Sequence, residues 1–196
     1  MLMSKIIIII KKMYNLLCKI YHKILKIYWS ITVPIYLKLC GVILGKNVIF
    51  YGFPFVQMGK NSKIFIGDNV VLCSDSRFTQ LGVNHPVMLK TSENAEISIG
   101  NDTGISGTTI YADQKILIGK ECLIGANVKI FDTNFHSLKK DNRRYNQNKD
   151  DISSKKIIIE DNCFIGTNTI ILKGSIIKKD TVIPAGAVIR EKKIND

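Results

Sequence analysis

A spacing of six residues governs the last part of the chain. Isoleucine recurs there every six residues, at Ile159, Ile165, Ile171, Ile177, Ile183 and Ile189. An α-helix repeats about every 3.6 residues and a β-strand about every two, so neither element alone sustains this period. A short strand followed by a corner does sustain it, provided that equivalent positions in successive turns stack. The pattern therefore predicts stacked coils with the isoleucines inside.

The residues between the isoleucines fit the corners of such coils. Pairs suited to tight turns recur in the same frame, at Asp161-Asn162, Thr167-Asn168, Lys173-Gly174, Lys179-Asp180 and Ala185-Gly186. Asn, Asp and Gly tolerate the left-handed backbone angles that sharp corners need. Compact residues follow each of the first five isoleucines at a fixed distance, and we expect them to pack beside the turns: Cys163, Thr169, Ser175, Thr181 and Ala187.

The same period is present, with interruptions, in the middle of the chain. It begins irregularly near Leu44, is clear at residues 66–70 and runs again from residue 99 to residue 134. It lapses at residues 74–96 and 136–156. Because a stacked coil admits extra residues only as loops that leave a corner, we predict two protruding loops. Each carries a histidine, His85 in the first and His136 in the second.

Over about residues 42–190 the repeats resemble those of the hexapeptide-repeat acyltransferases. The resemblance implies a mainly β fold, namely a left-handed parallel β-helix with protruding loops, preceded here by an N-terminal α-helical segment. The left hand comes from the resemblance alone, since ordinary parallel crossovers are right-handed. We therefore predict a basic amphipathic helical segment at residues 1–41 and a left-handed β-helix acyltransferase domain at residues 42–196.

The N-terminal segment is apolar and basic. Between Lys11 and Trp29 apolar residues recur at helical spacing with lysines between them, and no acidic residue precedes Asp68. Such a helix can lie on an anionic membrane surface, cap the end of the β-helix or pack against a sister subunit. No uncharged run reaches the roughly 20 residues of a membrane span, and no signal peptide is recognisable. We expect a cytoplasmic protein, either free or peripheral to the inner face of the membrane.

Composition and charge narrow the range of partners. The chain is 46% hydrophobic and 22% charged, as in globular domains, and its formal net charge is +12. That charge favours anionic partners, but no basic stretch interleaved with aromatic residues indicates a nucleic-acid-binding module, so we expect no nucleic acid. The five cysteines are far apart and form no CxxC motif, which predicts buried free thiols rather than a zinc site or disulfides.

The segment from Ile118 to His136 carries the closest resemblance. It is similar to acetyltransferases that modify sugars of capsule, exopolysaccharide or O-antigen, in which a histidine at the mouth of the protruding loop is the catalytic base. That residue corresponds to His136. A neutral imidazole can take the proton of a sugar hydroxyl while the oxygen attacks acetyl-CoA, a reaction that needs no metal. Asp132 either holds this imidazole in one tautomer or caps a turn.

Further positions match acceptor and coenzyme contacts of the family. The resemblance implies acceptor contacts at His85, Ser106, Asn134, Arg143 and Arg144, although His85 can equally be a structural loop residue. It implies coenzyme contacts at Thr167, Ala185, Arg190 and Lys192. Glu191 stands where relatives often have lysine, so a phosphate contact would pass to a neighbouring cation. The family is trimeric with sites between subunits, which implies a homotrimer. The loop from Lys139 to Lys156 is either an arm that reaches over the neighbouring active site or a mobile insertion.

Rival functions remain open at this point. The γ-class carbonic anhydrases share the fold and bind zinc through three histidines, but here His22 lies outside the coils and only His85 and His136 remain. A serine or nucleotide-sugar acetyltransferase would use a similar base and coenzyme. A non-catalytic β-helix scaffold would leave the histidines without a task. The acceptor is not identifiable from the sequence.

Overall fold

The fold is seen in a computed structural model that describes residues 2–141, 143–146, 148 and 151–191. One long helix, α1 (Leu2–Leu39), precedes a series of short β-strands. Each strand pairs in parallel with the strands three places before and after it, so the chain passes through three sheets in turn and then begins again. This is the left-handed parallel β-helix that the resemblance implied.

The three sheets have six strands each. Sheet A contains β1 (Ile43–Leu44), β4 (Lys63–Ile66), β7 (Glu96–Ile99), β10 (Lys115–Ile118), β13 (Ile157–Ile159) and β16 (Ile176–Ile177). Sheet B contains β2 (Ile49–Tyr51), β5 (Val71–Cys73), β8 (Gly104–Ser106), β11 (Leu123–Ile124), β14 (Phe164–Ile165) and β17 (Val182–Ile183). Sheet C contains β3 (Phe55–Gln57), β6 (Met88–Thr91), β9 (Thr109–Ala112), β12 (Lys129–Phe131), β15 (Ile170–Leu172) and β18 (Val188–Ile189).

The predicted isoleucine columns form the core. In sheet C, for example, Ile110, Ile130 and Ile171 are stacked in register and fully buried. Burying each such side chain contributes about 1.5–3 kcal/mol of transfer free energy, which makes the columns the main source of stability. Ile183 and Ile189 of the last described coil are partly exposed, since no described coil covers them, and Leu44, Val48 and Val56 of the first coil are partly buried as well.

The predicted corner residues take the predicted backbone angles. In all five turn pairs the second residue has a positive φ, between 55° and 77°: Asn162, Asn168, Gly174, Asp180 and Gly186. Corner side chains also bond from coil to coil, as where Asn69 Nδ2 donates to Asp102 Oδ1 at 2.9 Å. The turn chemistry inferred from the sequence is therefore confirmed.

The loops differ in how well the sequence located them. The second occupies residues 132–156, between β12 and β13, close to the prediction. The first was predicted too long, because residues 88–91 form β6 and residues 92–95 make an ordinary corner. Strand β6 keeps the in-out alternation, and its buried Leu89 stacks on Ile110 and Thr91 on Ala112, but the strand contains no isoleucine to mark it. The true first loop spans residues 74–87 and includes a short 3-10 turn, Ser76–Phe78.

Helix α1 caps the first coil. Trp29, Val33 and Leu37 are buried and belong to the same core as the isoleucine columns. Of the interpretations considered for this segment, the capping contact is therefore present. No helix in the described ranges has the length and apolarity that crossing a membrane requires. The five cysteines are free, and Cys73, Cys122 and Cys163 are buried, which raises the pKa of each of these three thiols.

The core columns generate a test with two adjacent isoleucines. Ile177 points inward and is 3% exposed, whereas Ile176 of the same strand points outward and is 56% exposed. We expect Ile177→Ala to lower the free energy of unfolding by about 2–5 kcal/mol, because it removes buried methylene groups and leaves a cavity. The matched change Ile176→Ala should cost less than about 1 kcal/mol. Urea unfolding followed by circular dichroism would measure both, and equal losses would contradict the inward column.

Candidate active site

The two loops leave the β-helix at the two corners that border sheet C. The first leaves the corner between sheets B and C, and the second leaves the corner between sheets C and A. The residues predicted to act together are divided between these corners. The B–C corner, where the strands of sheet C begin, contains four of them: His85, Ser106, Thr167 and Ala185.

The other predicted residues lie at the C–A corner, on the opposite edge of sheet C. They are Asp132, Asn134, His136, Arg143, Arg144 and Arg190. Lys192, the fourth predicted coenzyme contact, lies outside the described residues.

His136 opens onto a cavity of about 340 Å³ under the second loop, called here the loop cavity. Its ring is exposed and accepts or donates no hydrogen bond within the described part of the chain. The wall is polar and aromatic, and the lining residues are Ser92, Tyr111, Asp113, Thr133, Phe135, His136, Arg144, Asn146 and Ile152. An imidazole free at the rim of a polar cavity is available for proton transfer.

The residue before His136 has an unusual backbone. Phe135 has φ of 60°, in the left-handed region that a bulky side chain seldom adopts. Its ring packs 4.8 Å from that of Tyr111 and 5.5 Å from that of Phe131, measured between centroids. These contacts hold the strained turn and so set the direction in which His136 leaves the coil. Sequence reasoning missed Phe135, since phenylalanine is not a residue that signals a left-handed turn.

Asp132 is buried beneath the site and serves the backbone. Its carboxylate accepts amide N–H bonds from Asp113 at 2.6 Å, Gln114 at 2.9 Å and Lys115 at 2.8 Å. Burial raises the pKa of the Asp132 carboxyl, and the three amide bonds oppose that rise. Of the two roles considered for Asp132, the structure shows the turn cap. Its carboxylate makes no bond to His136 in the described residues, so the orienting role is not retained.

A different carboxylate faces the loop cavity. Asp113 lines it together with His136, and its Oδ2 accepts a hydrogen bond from Ser154 Oγ at 2.6 Å. Thr133 Oγ1 lies 2.9 Å from the same Ser154 oxygen, so the three side chains form one polar cluster. No pattern in the sequence pointed to Asp113, because it lies in a corner where an acidic residue is an ordinary turn former.

A second cavity adjoins the first. This C-terminal groove has a volume of about 190 Å³ and is lined by Phe131, Thr133, Asn134, Leu172, Lys173, Arg190 and Glu191. Thr133 lines both cavities, so it forms the wall between them. Asn134 Nδ2 is buried without a hydrogen-bond partner in the described protein, which leaves a donor unused beside the groove. Glu191 pairs with Lys155, so its charge is partly compensated.

The two loop arginines do different things. Arg143 donates to the backbone carbonyls of Leu138 at 3.0 Å and Lys139 at 3.2 Å, which ties the loop to itself. Arg144 lines the loop cavity, and its guanidinium carbon lies 5.4 Å from the centroid of the Tyr145 ring. Of the two, Arg144 is therefore the one placed to meet a ligand in that cavity.

At the B–C corner His85 is held in one tautomer. Its Nδ1 lies 2.8 Å from the carbonyl oxygen of Pro86. Because a carbonyl oxygen can only accept, Nδ1 carries the hydrogen. In the neutral ring Nε2 is then an acceptor, and it lies 3.5 Å from Thr109 Oγ1. A cavity of about 140 Å³ lies beside it, lined by Asn84, His85, Asn127, Lys129, Asn168 and Ile170. His85 is thus a second imidazole facing open space, on the far edge of sheet C.

The remaining predicted residues at this corner stack along the coil axis. Thr167 Oγ1 donates to the carbonyl oxygen of Ala126 at 2.6 Å, and the carbonyl of Thr167 accepts from the amide of Gly186. Ala185 packs so closely on Gly166 that a Cβ there would lie 2.4 Å from the Ala185 nitrogen. These contacts leave a narrow, flat corner. Among the described residues no group of His, Cys, Asp or Glu is arranged to hold a metal ion.

A stack of three-sided coils with an imidazole at a loop mouth defines this protein as a hexapeptide-repeat β-helix. Family models for such repeats match two segments, the bacterial transferase hexapeptide (six repeats) at residues 156–191 and the hexapeptide repeat of succinyl-transferase at residues 115–130. These matches cover part of the chain, so they show hexapeptide repeats at residues 115–130 and 156–191 and a similarity to the hexapeptide-repeat acyltransferases.

Two known proteins are similar to the chain. A galactoside O-acetyltransferase of Lactococcus lactis is 35% identical over 91 residues, which are 42% of this chain and 42% of that protein. The chain thus matches less than half the length of this relative. The N-acyltransferase AntD from Bacillus cereus, as a point mutant in complex with dTDP-4-amino-4,6-dideoxyglucose and coenzyme A, has a TM-score of 0.59 at 18% identity. That match covers 80% of this chain and 78% of AntD, and it shows a shared fold.

The capping role of Asp132 can be tested by measuring the free energy of unfolding of a variant that lacks its carboxylate. We expect Asp132→Ala to lower the free energy of unfolding by about 3 kcal/mol or more, because it removes three hydrogen bonds to a buried carboxylate, and a bond to a charged group contributes about 1.5–3 kcal/mol. The control is Asp68→Ala, which removes a single side-chain bond, to the exposed amide of Lys46 at 2.6 Å, and should cost about 1 kcal/mol. Thermal and urea unfolding would measure both. A small loss for Asp132→Ala would show that the carboxylate is not the cap of this turn.

Proposed function

We propose that this protein transfers the acetyl group of acetyl-CoA to a hydroxyl group of a sugar, with His136 as general base. The observation that carries the proposal is the adjacency of the loop cavity and the C-terminal groove across Thr133. An acceptor in the first cavity and a thioester at the end of the second would meet beside the imidazole. The galactoside O-acetyltransferase relative supports a sugar as the acceptor.

The reaction follows from the groups at this junction. The imidazole of His136 removes the hydroxyl proton while the sugar oxygen bonds to the thioester carbonyl carbon. The carbon–sulfur bond then breaks, and the thiolate takes the proton back from the imidazolium, so no metal and no covalent enzyme intermediate is required. The carbonyl oxygen becomes negative on the way and needs a donor. The Asn134 amide, which lines the groove and has no hydrogen-bond partner in the described protein, is proposed as that donor.

Coenzyme A is anionic, and the C-terminal groove offers cations to its phosphates. Arg190 and Lys173 line the groove, and Lys155 offsets the charge of Glu191. We therefore assign a phosphate contact to Arg190. A lysine at position 191 would make this contact, but the negatively charged Glu191 cannot. Thr167 and Ala185 belong to the opposite edge of sheet C and cannot share this groove within one chain.

The division of the site between two edges supports a homotrimer. If prisms associate side by side, the B–C corner of one subunit meets the C–A corner of the next, and the divided residues come together. A long coenzyme would then lie in the seam, against Arg190 of one chain and against Thr167 and Ala185 of its neighbour. His85 would face the same seam from the side opposite to His136.

A second candidate is transfer to a nucleotide-linked sugar. The AntD structure contains dTDP-4-amino-4,6-dideoxyglucose together with coenzyme A. The same base and groove would serve a capsule, exopolysaccharide or O-antigen sugar and a nucleotide sugar alike, so the acceptor must be found by assay. Incubation with acetyl-CoA and a panel of nucleotide sugars and free or lipid-linked glycans, with release of the thiol as the signal, would distinguish these acceptors.

The general base is tested by His136→Ala. We expect acetyl transfer to fall about a hundredfold to ten-thousandfold, the usual contribution of a positioned base, while coenzyme binding by calorimetry is retained. The control is His22→Ala, since His22 packs against Phe78 and lines neither cavity, so its loss should leave turnover unchanged. Undiminished transfer by His136→Ala would end the assignment.

The shared seam is tested by complementation between two inactive variants. His136→Ala removes the base, and Ala185→Trp blocks the flat B–C corner, so each alone should be inactive. Mixed trimers should regain about a quarter of the activity, because about one seam in four combines two intact halves. Light scattering of the unmodified protein should give the mass of three chains. No recovery in mixed trimers, or a fully active monomer, would show that each site lies within one chain.

A further inference from the structure

The outer side of helix α1 is an apolar surface that the β-helix does not cover. Trp29, Val33 and Leu37 turn one side of the helix toward the first coil. Residues at the intermediate positions, such as Ile31 and Ile35, lie about half a turn away on the opposite side. That side faces away from the β-helix, and both isoleucines are exposed.

The apolar side runs the whole length of the helix. Its residues follow one another at spacings of three or four, from Met3 to Ile35, and each is between 47% and 77% exposed: Met3, Ile6, Ile10, Met13, Leu17, Ile20, Ile24, Ile27, Ile31 and Ile35. Ile9 and Leu16 on one border and Ile7 on the other are exposed as well, so the surface covers about half of the helix circumference. A contiguous apolar area of this extent marks an interaction surface.

Charge is distributed in a complementary way. Six lysines of α1 have described side chains, and all six are exposed. Lys11, Lys12, Lys19, Lys23 and Lys26 lie on the remaining half of the circumference, the ammonium of Lys26 over the Tyr51 ring, and Lys38 lies near the end of the apolar side. No Asp or Glu occurs before Asp68. Long lysine side chains can lie along the helix and direct their ammonium groups toward phosphates at its flank. The helix therefore attracts an anionic surface and contains no acidic residue that would repel one.

Three tyrosines mark one border of the apolar surface. Tyr14, Tyr21 and Tyr28 are seven residues apart, so they lie nearly one above the other, and all three rings are exposed. Arg77 Nη1 donates to the Tyr21 hydroxyl at 2.8 Å, and the Tyr28 ring packs 6.1 Å from that of Phe53. Tyrosine, with an apolar ring and a polar hydroxyl, is favoured at the level of lipid headgroups.

A second copy of the helix fits this surface less well than a lipid bilayer does. A coiled-coil seam needs a narrow apolar stripe flanked by charges of both signs, whereas α1 has a broad surface and only lysines. Identical helices would bring like charges together with no acidic residue to pair with them. A bilayer boundary accepts a half-cylinder of apolar side chains along its full length.

We propose that α1 lies in the headgroup region of an anionic phospholipid bilayer, with its isoleucine side among the acyl chains and the β-helix held on the solvent side. Because α1 is packed on the first coil through Trp29, Val33 and Leu37, the contact fixes the end of the β-helix against the membrane. This inference concerns a surface remote from both cavities, and it stands whether or not the proposed acetyl transfer is found.

Vesicle flotation of the full chain tests the contact. We expect the protein to float with vesicles of phosphatidylcholine mixed with phosphatidylglycerol, and much less with phosphatidylcholine alone or in high salt. Ile20→Glu places a charge in the middle of the apolar surface and should weaken binding to the mixed vesicles about tenfold or more. The matched control Leu123→Glu changes an exposed residue of sheet B and should leave binding unchanged.

Three outcomes would overturn the inference. In the first, the unmodified protein stays at the bottom of the gradient when the mixed vesicles are present. In the second, Ile20→Glu and Leu123→Glu bind these vesicles as well as the unmodified protein does. In the third, Ile20→Glu dissociates an assembly seen by light scattering while the unmodified protein binds no vesicles, which would assign the surface to a second copy. Circular dichroism of each variant, with unchanged helix content, shows that a loss of binding is not a loss of the helix.

Discussion

The structure depends on one constraint, the in-register stacking of buried side chains along the coil axis. Ile110, Ile130 and Ile171 occupy one column because the strands of successive coils pair in register, even though the second loop lies between the last two. An extra residue inside a strand would turn the apolar side outward for the rest of that coil. Additional chain can therefore leave only at a corner, and both loops do so. The site is a consequence of the stacking, because the corners are the only places where irregular chain and open space occur together.

Most of the fold followed from the spacing of a few residue types. The isoleucines determined which side chains face inward, and the turn pairs placed positive φ at residues such as Asn162 and Asp180, since Asn and Asp tolerate that angle at little cost. The prediction failed where a coil keeps the geometry but loses the residue pattern. Strand β6 contains no isoleucine and is held by its neighbours β3 and β9, so tertiary pairing replaced the missing local signal.

The candidate site was predictable in position and less so in detail. The break after Asn134 located the mouth of the second loop and His136 with it. The partner of Asp132 could not be inferred from the sequence, because a carboxylate beside a turn can serve a ring or a backbone amide equally well until the adjacent coil is placed. Asp113 and Phe135 were missed for the same reason, since they gain meaning only from residues about 20 positions away in adjacent coils. Likewise, the side of α1 that the β-helix covers could not be inferred from the sequence until the first coil was placed against the helix.

The cap formed by Trp29, Val33 and Leu37 has a consequence for assembly. A stack of parallel coils ends in open strand edges, and an uncovered end would template the addition of another molecule, coil upon coil, into a fibre. With α1 laid across β1 and β2, lengthwise growth from that end is blocked. The same helix that closes the core therefore also keeps the stack of coils from continuing into a second molecule.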